Sequence, residues 1–256
     1  MTSCDVWWAS TSTDPGLLEM LTLDEPRRAS KLRLPADRAR FVTARAVVRS
    51  VLASRLGLAL AEILLDRTCH RCGAAHGKPC LHPARQHAGI EFSIARAGSR
   101  VLVAVTDGAP VGVDLQSVVD FGRRDLDAVA SEILTATERA SYRALPAGER
   151  LSALSAWWTR KEAALKAIGE GLSVSPSSLR VTDPGEPPAI LDWSQEFRWP
   201  TGEPDQLFMW NTFPAPTVVA ALAVLTRLPV ALRQLDGDAL LATRFDESSR
   251  KALTHA

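Results

Sequence analysis

The sequence predicts an α+β fold made of two similar lobes, residues 1–110 and 111–256, related by tandem duplication. Three observations predict it. Each half contains one long helical pattern. Each half then carries an apolar strand, a turn and another apolar strand. EFSIARAGSRVLVAV in the N-terminal half and LFMWNTFPAPTVVAALAV in the C-terminal half read as versions of one element.

The elements follow in order. ADRARFVTARAVVRSVLASRLGL, residues 36–58, reads as an amphipathic helix. A loop rich in Cys, His and Gly covers 68–88. GIEFSIARAGSRVLVAVTDGAPVGVDLQS then reads as three strands, with DGAP at 107–110 as the turn before the third. The second half begins near Gly112. Thr135 or Thr137 can cap a helix running to Leu145. A longer helix runs from about Arg150 to Gly169, where Gly169 and Gly171 stop it. After Pro-rich loops, QLFMWNTFPAPTVVAALAVL at 206–225 gives the second hairpin.

Composition narrows the function classes. The chain has 256 residues, 46% hydrophobic and 23% charged, as ordinary globular proteins do. A net charge of +1 supplies no global field toward nucleic acid or membrane, so any phosphate must be held locally. The opening MTSCDVWWAS lacks a basic then apolar leader, and VVAALAVL at 218–225 is too short to span a bilayer. Four cysteines, three of them clustered, do not make a disulfide framework, so a reducing cytoplasm is expected. There are 25 arginines and only 5 lysines; Lys78, Lys161 and Lys166 all fall inside motifs, where a compact ammonium is called for.

Two motifs carry carboxylates. In VGVDLQ, Asp114 and Gln116 share one strand face. A carboxylate in an apolar strand needs a partner or a metal, although an Asp at a strand end can also cap a turn. In WWTRKEAALKAIGEGL, residues 157–172, Glu162 and Lys166 stand four apart on one helix face. That spacing also suits an exposed ion pair, but Trp157 and Trp158 anchor this helix in a core. Asp114 and Glu162 could then meet across a cleft, and two carboxylates with substrate phosphates are what Mg²⁺ requires. A third motif, CHRCGAAHGKPCLHP, offers Lys78 and His76 to an anion. It equally offers Cys69 and Cys72, with His76, Cys80 and His82, to zinc. An ordered loop with free thiols is the third reading.

VGVDLQ followed some forty residues later by WWTRKEAALKAIGEGL resembles the 4′-phosphopantetheinyl transferases of the Sfp type, with HGKP, FSIARAGS and SEILTATE in the family's order over roughly 25–225. The resemblance implies a pseudo-twofold molecule with its active site between the lobes. It implies Mg²⁺-dependent transfer of phosphopantetheine from coenzyme A to a serine of an apo carrier protein, acyl, polyketide or peptidyl, with release of 3′,5′-ADP. By position, Asp114 and Glu162 would hold the metal, with Gln116 where the family has a third acid. Glu162 would activate the serine and Lys166 would stabilise the leaving phosphate. Lys78, Arg40, Arg45 and Lys161 would bind coenzyme A, with Arg49 structural and Glu138 structural or assisting the cleft.

One departure is marked. Ala95, Arg96 and Ala97 stand where the family reads Ser-His-Ser, so Arg96 would replace a histidine as phosphate ligand. Carrier docking is expected at VVDFGRRDLDAV, through Phe121, Arg123 and Arg124. No nucleic-acid or membrane partner is expected, and a monomer suffices. A catalytically weak relative that only binds coenzyme A or carriers, and a zinc-bearing interaction module, are the alternatives.

Overall fold

The computed structural model describes residues 1–22, 24–69, 72–82, 89–169, 174–193, 206–215 and 217–244. In chain order the main elements are β1 (Thr2–Ser10), α1 (Pro35–Leu56), β2 (Ile90–Ala97), β3 (Arg100–Asp107), β4 (Val111–Ser117), α2 (Ala147–Ile168), β5 (Leu207–Ala215), β6 (Val218–Leu225) and β7 (Val230–Asp236). The fold is mixed α+β. One sheet has the order β7-β1-β3-β2 and the other β4-β6-β5. All pairings in the two sheets are antiparallel except β1 with β7, where Thr2 lies opposite Val230 and Trp8 opposite Asp236.

Strand alternation builds the layers. On β3, Val101, Val103 and Val105 pack against Phe41, Val47, Val48 and Leu52 of α1. The intervening Leu102 and Ala104 pack against Val113, Leu115 and Leu222 of the other sheet. On β6, Ala221 and Ala223 meet Ala163, Ala164 and Ala167 of α2, while Ala220, Leu222 and Val224 face back to the first sheet. The order is therefore helix, sheet, sheet, helix. Strands buried on both faces explain why RVLVAV and VVAALAVL read as nearly continuous apolar runs.

Most expected elements are present, and α2 begins at Ala147, ahead of the expected Arg150. Thr135, not Thr137, is the helix cap: its hydroxyl accepts from Glu138 N at 3.3 Å, and the Glu138 carboxylate accepts from Thr135 N at 2.8 Å. Gly169, at φ +82°, ends α2, while Gly171 lies outside the described residues. The sequence pattern does not reveal β1 and β7. Asp5, buried in β1, breaks the apolar pattern; Arg233 of β7 grips it through Nε at 2.7 Å and Nη2 at 2.8 Å, and Arg55 adds a bond at 3.0 Å. Through β7 the chain recrosses the expected 110/111 boundary to complete the first sheet. Among the described residues no helix is long and apolar enough to cross a membrane.

Gly112 sets how β4 meets α2. A Cβ built there would overlap the Ala163 carbonyl oxygen and the Ala167 amide nitrogen, so strand backbone lies directly on helix backbone. Gly112, Asp114 and Gln116 share this face, whereas Val111, Val113 and Leu115 face the first sheet. Gly112→Ala should force strand and helix apart and cost about 3 kcal/mol, the upper end of overpacking penalties, measured as a lower urea midpoint at unchanged slope.

Candidate functional site

Three consecutive residues of α2 point three ways, because a helix turns by 3.6 residues. Arg160 reaches the loop after Leu179–Val181. Its guanidinium donates to the carbonyls of Thr182 at 2.7 Å, Asp183 at 2.8 Å and Glu186 at 2.9 Å. Lys161 is fully buried and donates to the carbonyls of Ile133 (2.9 Å), Pro176 (3.0 Å) and Leu179 (2.6 Å) and to Glu138 Oε2 (2.6 Å). Glu162 turns toward β4. Two tethers thus hold the helix while the next side chain is presented.

Asp114 lies mid-strand and buried, so it does not cap a turn. Lys166 Nζ donates to Asp114 Oδ1 at 2.6 Å and to Val113 O at 3.1 Å. The lysine therefore bridges helix to strand and is not an exposed partner of Glu162. Burial pushes the Asp114 carboxyl up from its ordinary range, and Lys166 opposes this. Glu162 is pushed up to about 7, first by burial and then by the Asp114 charge, with Lys166 again opposing. Asp114 Oδ2 and Glu162 Oε1 are both buried without a hydrogen-bond partner. Two buried carboxylate oxygens with unused lone pairs suit a hard divalent cation, which takes oxygen ligands. Gln116 is half-buried on the same strand face and donates through Nε2 to Ser117 O at 3.3 Å.

The outer edge of β4 is capped by side chains. Lys78 Nζ donates to Val111 O at 3.0 Å, Lys166 to Val113 O, and Val113 N donates to Ser93 Oγ at 3.1 Å. Lys78 of HGKP and Lys166 therefore sit two residues apart along one edge. Burial pushes the Lys78 ammonium down, while Glu91, 3.5 Å away, holds it up.

A second concentration of charge surrounds Phe41. The guanidinium carbons of Arg28, Arg45 and Arg96 lie 5.5, 5.5 and 5.7 Å from its ring centroid. Arg28 and Arg45 also line a cavity of about 170 Å³ with Arg49, Arg67, Asp24, Glu25, Asp66 and Ala75. Burial lowers Arg45 to about 10, with Glu25 opposing, so it stays cationic at neutral pH. Arg45 Nη1 and Arg67 Nε are buried without partners. Such orphaned donors, next to more guanidinium groups than carboxylates, make an anion seat. Arg28 and Arg67 carry no signal in the sequence, because only the arginines of α1 have a helical register to judge them by.

The other expected residues divide. Arg40 is engaged by Gly98 O at 2.9 Å and Asp37 Oδ1 at 2.6 Å, beside the cluster rather than in the cavity. Arg49 is structural, bonded to Glu25 at 2.8 Å and to the carbonyls of Leu60 and Ile63. Glu138 is structural too, holding Lys161 and accepting from Val181 N at 2.9 Å. Lys161 is corrected from a cofactor ligand to an internal tether, since a fully buried ammonium with four acceptors has no donor to offer a ligand. Phe121 is likewise corrected: it is buried, with Trp158 6.0 Å away and Arg124 over both rings, while Arg123 and Arg124 themselves remain exposed. Of the cysteine-loop residues, Cys69, Cys72 and His76 come together.

Lys161→Met should cost at least about 3 kcal/mol, because it strands a buried carboxylate. Calorimetry should show the lower melting temperature. Coenzyme A affinity of the remaining folded protein should be unchanged, and a selective affinity loss would restore the ligand assignment.

Residues 110–210 match the model of the 4′-phosphopantetheinyl transferase superfamily, a segment holding both Asp114 and Glu162. The chain is 28% identical over 181 residues to 4′-phosphopantetheinyl transferase HetI of Nostoc sp., covering 70% of this chain and 73% of that protein. It is 32% identical over 192 residues to the L-aminoadipate-semialdehyde dehydrogenase-phosphopantetheinyl transferase of Eremothecium gossypii, covering 69% and 64%. Among solved structures, holo-[acyl-carrier-protein] synthase from Neisseria meningitidis is similar over 45% of this chain and 96% of that one, at 22% identity and a TM-score of 0.39. The match to the 4′-phosphopantetheinyl transferase superfamily therefore falls on the segment that carries the carboxylate site.

Proposed function

We propose that this chain transfers 4′-phosphopantetheine from coenzyme A to the serine hydroxyl of an apo carrier protein, releasing 3′,5′-ADP. The observation that carries the reading is the pair of partnerless buried oxygens, Asp114 Oδ2 and Glu162 Oε1, beside Lys166. In this reading Asp114 and Glu162 hold Mg²⁺, with Gln116 offering a neutral oxygen. The bound cation supplies charge neutralisation on the pyrophosphate.

The chain's own groups do the rest. Glu162 takes the serine proton as the serine oxygen attacks the β-phosphorus. The bond from that phosphorus to the oxygen bridging the α-phosphate breaks. Lys166, and Lys78 along the same edge, meet the charge that develops on the departing phosphate. Arg28, Arg45, Arg67 and Arg96 seat the remaining phosphate, with Arg40 behind them. Arg96 is exposed and stays charged where a histidine would lose its charge near neutral pH. The proposal includes the two-lobe view, in which residues 1–110 bind coenzyme A and 111–256 supply the metal site. What supports it is that α1 precedes the β2–β3 hairpin as α2 precedes β5–β6, each helix on the outside of its sheet. One chain carries both parts, so the active species is read as a monomer.

The test is incubation with coenzyme A, Mg²⁺ and apo carrier proteins, read by intact mass. The carrier should gain one phosphopantetheine arm. Asp114→Ala should abolish this, Lys166→Ala should lower kcat by about a hundredfold, and Arg96→Ala should raise KM for coenzyme A. Binding of coenzyme A with no transfer to any carrier would favour the weak-relative alternative.

A stability signature follows from Glu162. Its folded pKa, about 7, exceeds the ordinary 4.5, so its contribution is present below about 4.5 and is lost as pH rises through 7. Metal-free protein should therefore melt at progressively lower temperature between pH 5 and pH 8. Mg²⁺ should flatten that slope, as should Glu162→Gln.

A further inference from the structure

We infer that Cys69, Cys72 and His76 form a zinc site, with solvent in the fourth position, that fixes one wall of the arginine cavity. Nothing in the transferase reading uses these residues, and the inference stands or falls without it.

The donor set is thiolate, thiolate and imidazole. Its three ligand atoms all lie within 4.8 Å of one another. Cys72 Sγ and His76 Nε2 are 3.0 Å apart. Tetrahedral zinc, with Zn–S of about 2.3 Å and Zn–N of about 2.0 Å, needs ligand atoms roughly 3.5 Å apart, so small rotations close the set. None of the three is committed to a disulfide. Cys80 lies outside the group, its thiol toward Asp66 O at 3.8 Å.

The loop backbone is already shaped for this. Cys69 N donates to Ala74 O and Gly73 N to Cys69 O, both at 2.8 Å. Gly73 takes φ +71°, which closes the turn. Gly77 N donates to Arg67 O at 2.8 Å, and a Cβ at Gly77 would lie only 2.8 Å from Thr68 O. These bonds hold Cys69 beside Cys72 and His76 before any metal arrives. Cys69 is buried while Cys72 and His76 are exposed, which anchors one ligand and leaves an entry path.

The chemistry separates this site from the carboxylates. Two thiolates select zinc over Mg²⁺, and Asp114 with Glu162 has the opposite preference. Binding displaces the two thiol protons, so zinc uptake is accompanied by proton release. The position gives the ion a structural task. Ala75, inside the ligand loop, lines the arginine cavity together with Asp66 and Arg67 just before it, and Lys78 follows His76 by two residues.

The experiment is metal analysis of the full chain purified under reducing conditions from zinc-supplemented culture. We expect one zinc per chain, kept in Asp114→Ala and lost in both Cys72→Ser and His76→Ala. Cobalt added to the zinc-free protein should give a thiolate-to-cobalt charge-transfer band that Cys72→Ser removes. Zinc removal should lower the melting temperature of the wild type and leave Cys72→Ser unmoved. Three outcomes would overturn the inference: reduced protein that takes up no zinc or cobalt, cobalt spectra without a thiolate band, or zinc that leaves with Asp114→Ala.

Discussion

Strand β4 lies on helix α2 with nothing but backbone between them at Gly112, and the geometry of the carboxylate site depends on that contact. Strand periodicity turns Asp114 to the same side as Gly112, and helix periodicity places Glu162 just before the Ala163–Ala167 stretch that Gly112 touches and Lys166 within it. A larger residue at 112 would move the strand outward, and the 2.6 Å Lys166–Asp114 bond could not survive as it is. The close approach also explains the alanines of α2: Ala163, Ala164 and Ala167 keep the helix surface low where a sheet must lie flat against it.

The ionisable groups divide into two classes by how fully they are satisfied. Arg49, Arg160, Lys161 and Glu138 are buried and have several partners each, so their cost of burial is offset by hydrogen bonds. Asp114, Glu162, Arg45 and Arg67 are different: each has a buried polar atom with no partner. The two carboxylates lie together and the two guanidinium groups line one cavity elsewhere; Arg139, on the helix Ala136–Ala144, is a fifth ionisable side chain with such an atom and belongs to neither place. A molecule carrying both a cation-binding and an anion-binding region is what a phosphate ester with its counter-ion would fill.

Legibility follows periodicity. α1, α2 and both hairpins are visible in the sequence because apolar spacing and turn residues point the same way in each. The carboxylate site is visible because Asp114 interrupts an apolar strand and Glu162 follows two anchoring tryptophans. The role of Lys161 is not legible, because neighbouring positions on a helix face different surroundings and composition does not reveal which neighbour faces inward. The arginine cavity is only half legible. It draws Arg28 from the helix Glu25–Ser30, Arg45 from α1 and Arg67 from a loop, and no local pattern links segments so far apart. β1 is hidden by Asp5, whose burial makes sense only once Arg55 and Arg233 are seen beside it.

That Asp5 arrangement bears on how the molecule assembles. β1 is made more than two hundred residues before its parallel neighbour β7. Until Arg233 arrives, one edge of β1 is unpaired and Asp5 lacks its bidentate partner. Joining two strands so far apart in sequence means closing a very long loop, which costs entropy before any contact rewards it and slows folding. The first sheet is therefore completed only after the second sheet's strands have been made, and a nascent chain still short of β7 presents an open strand edge.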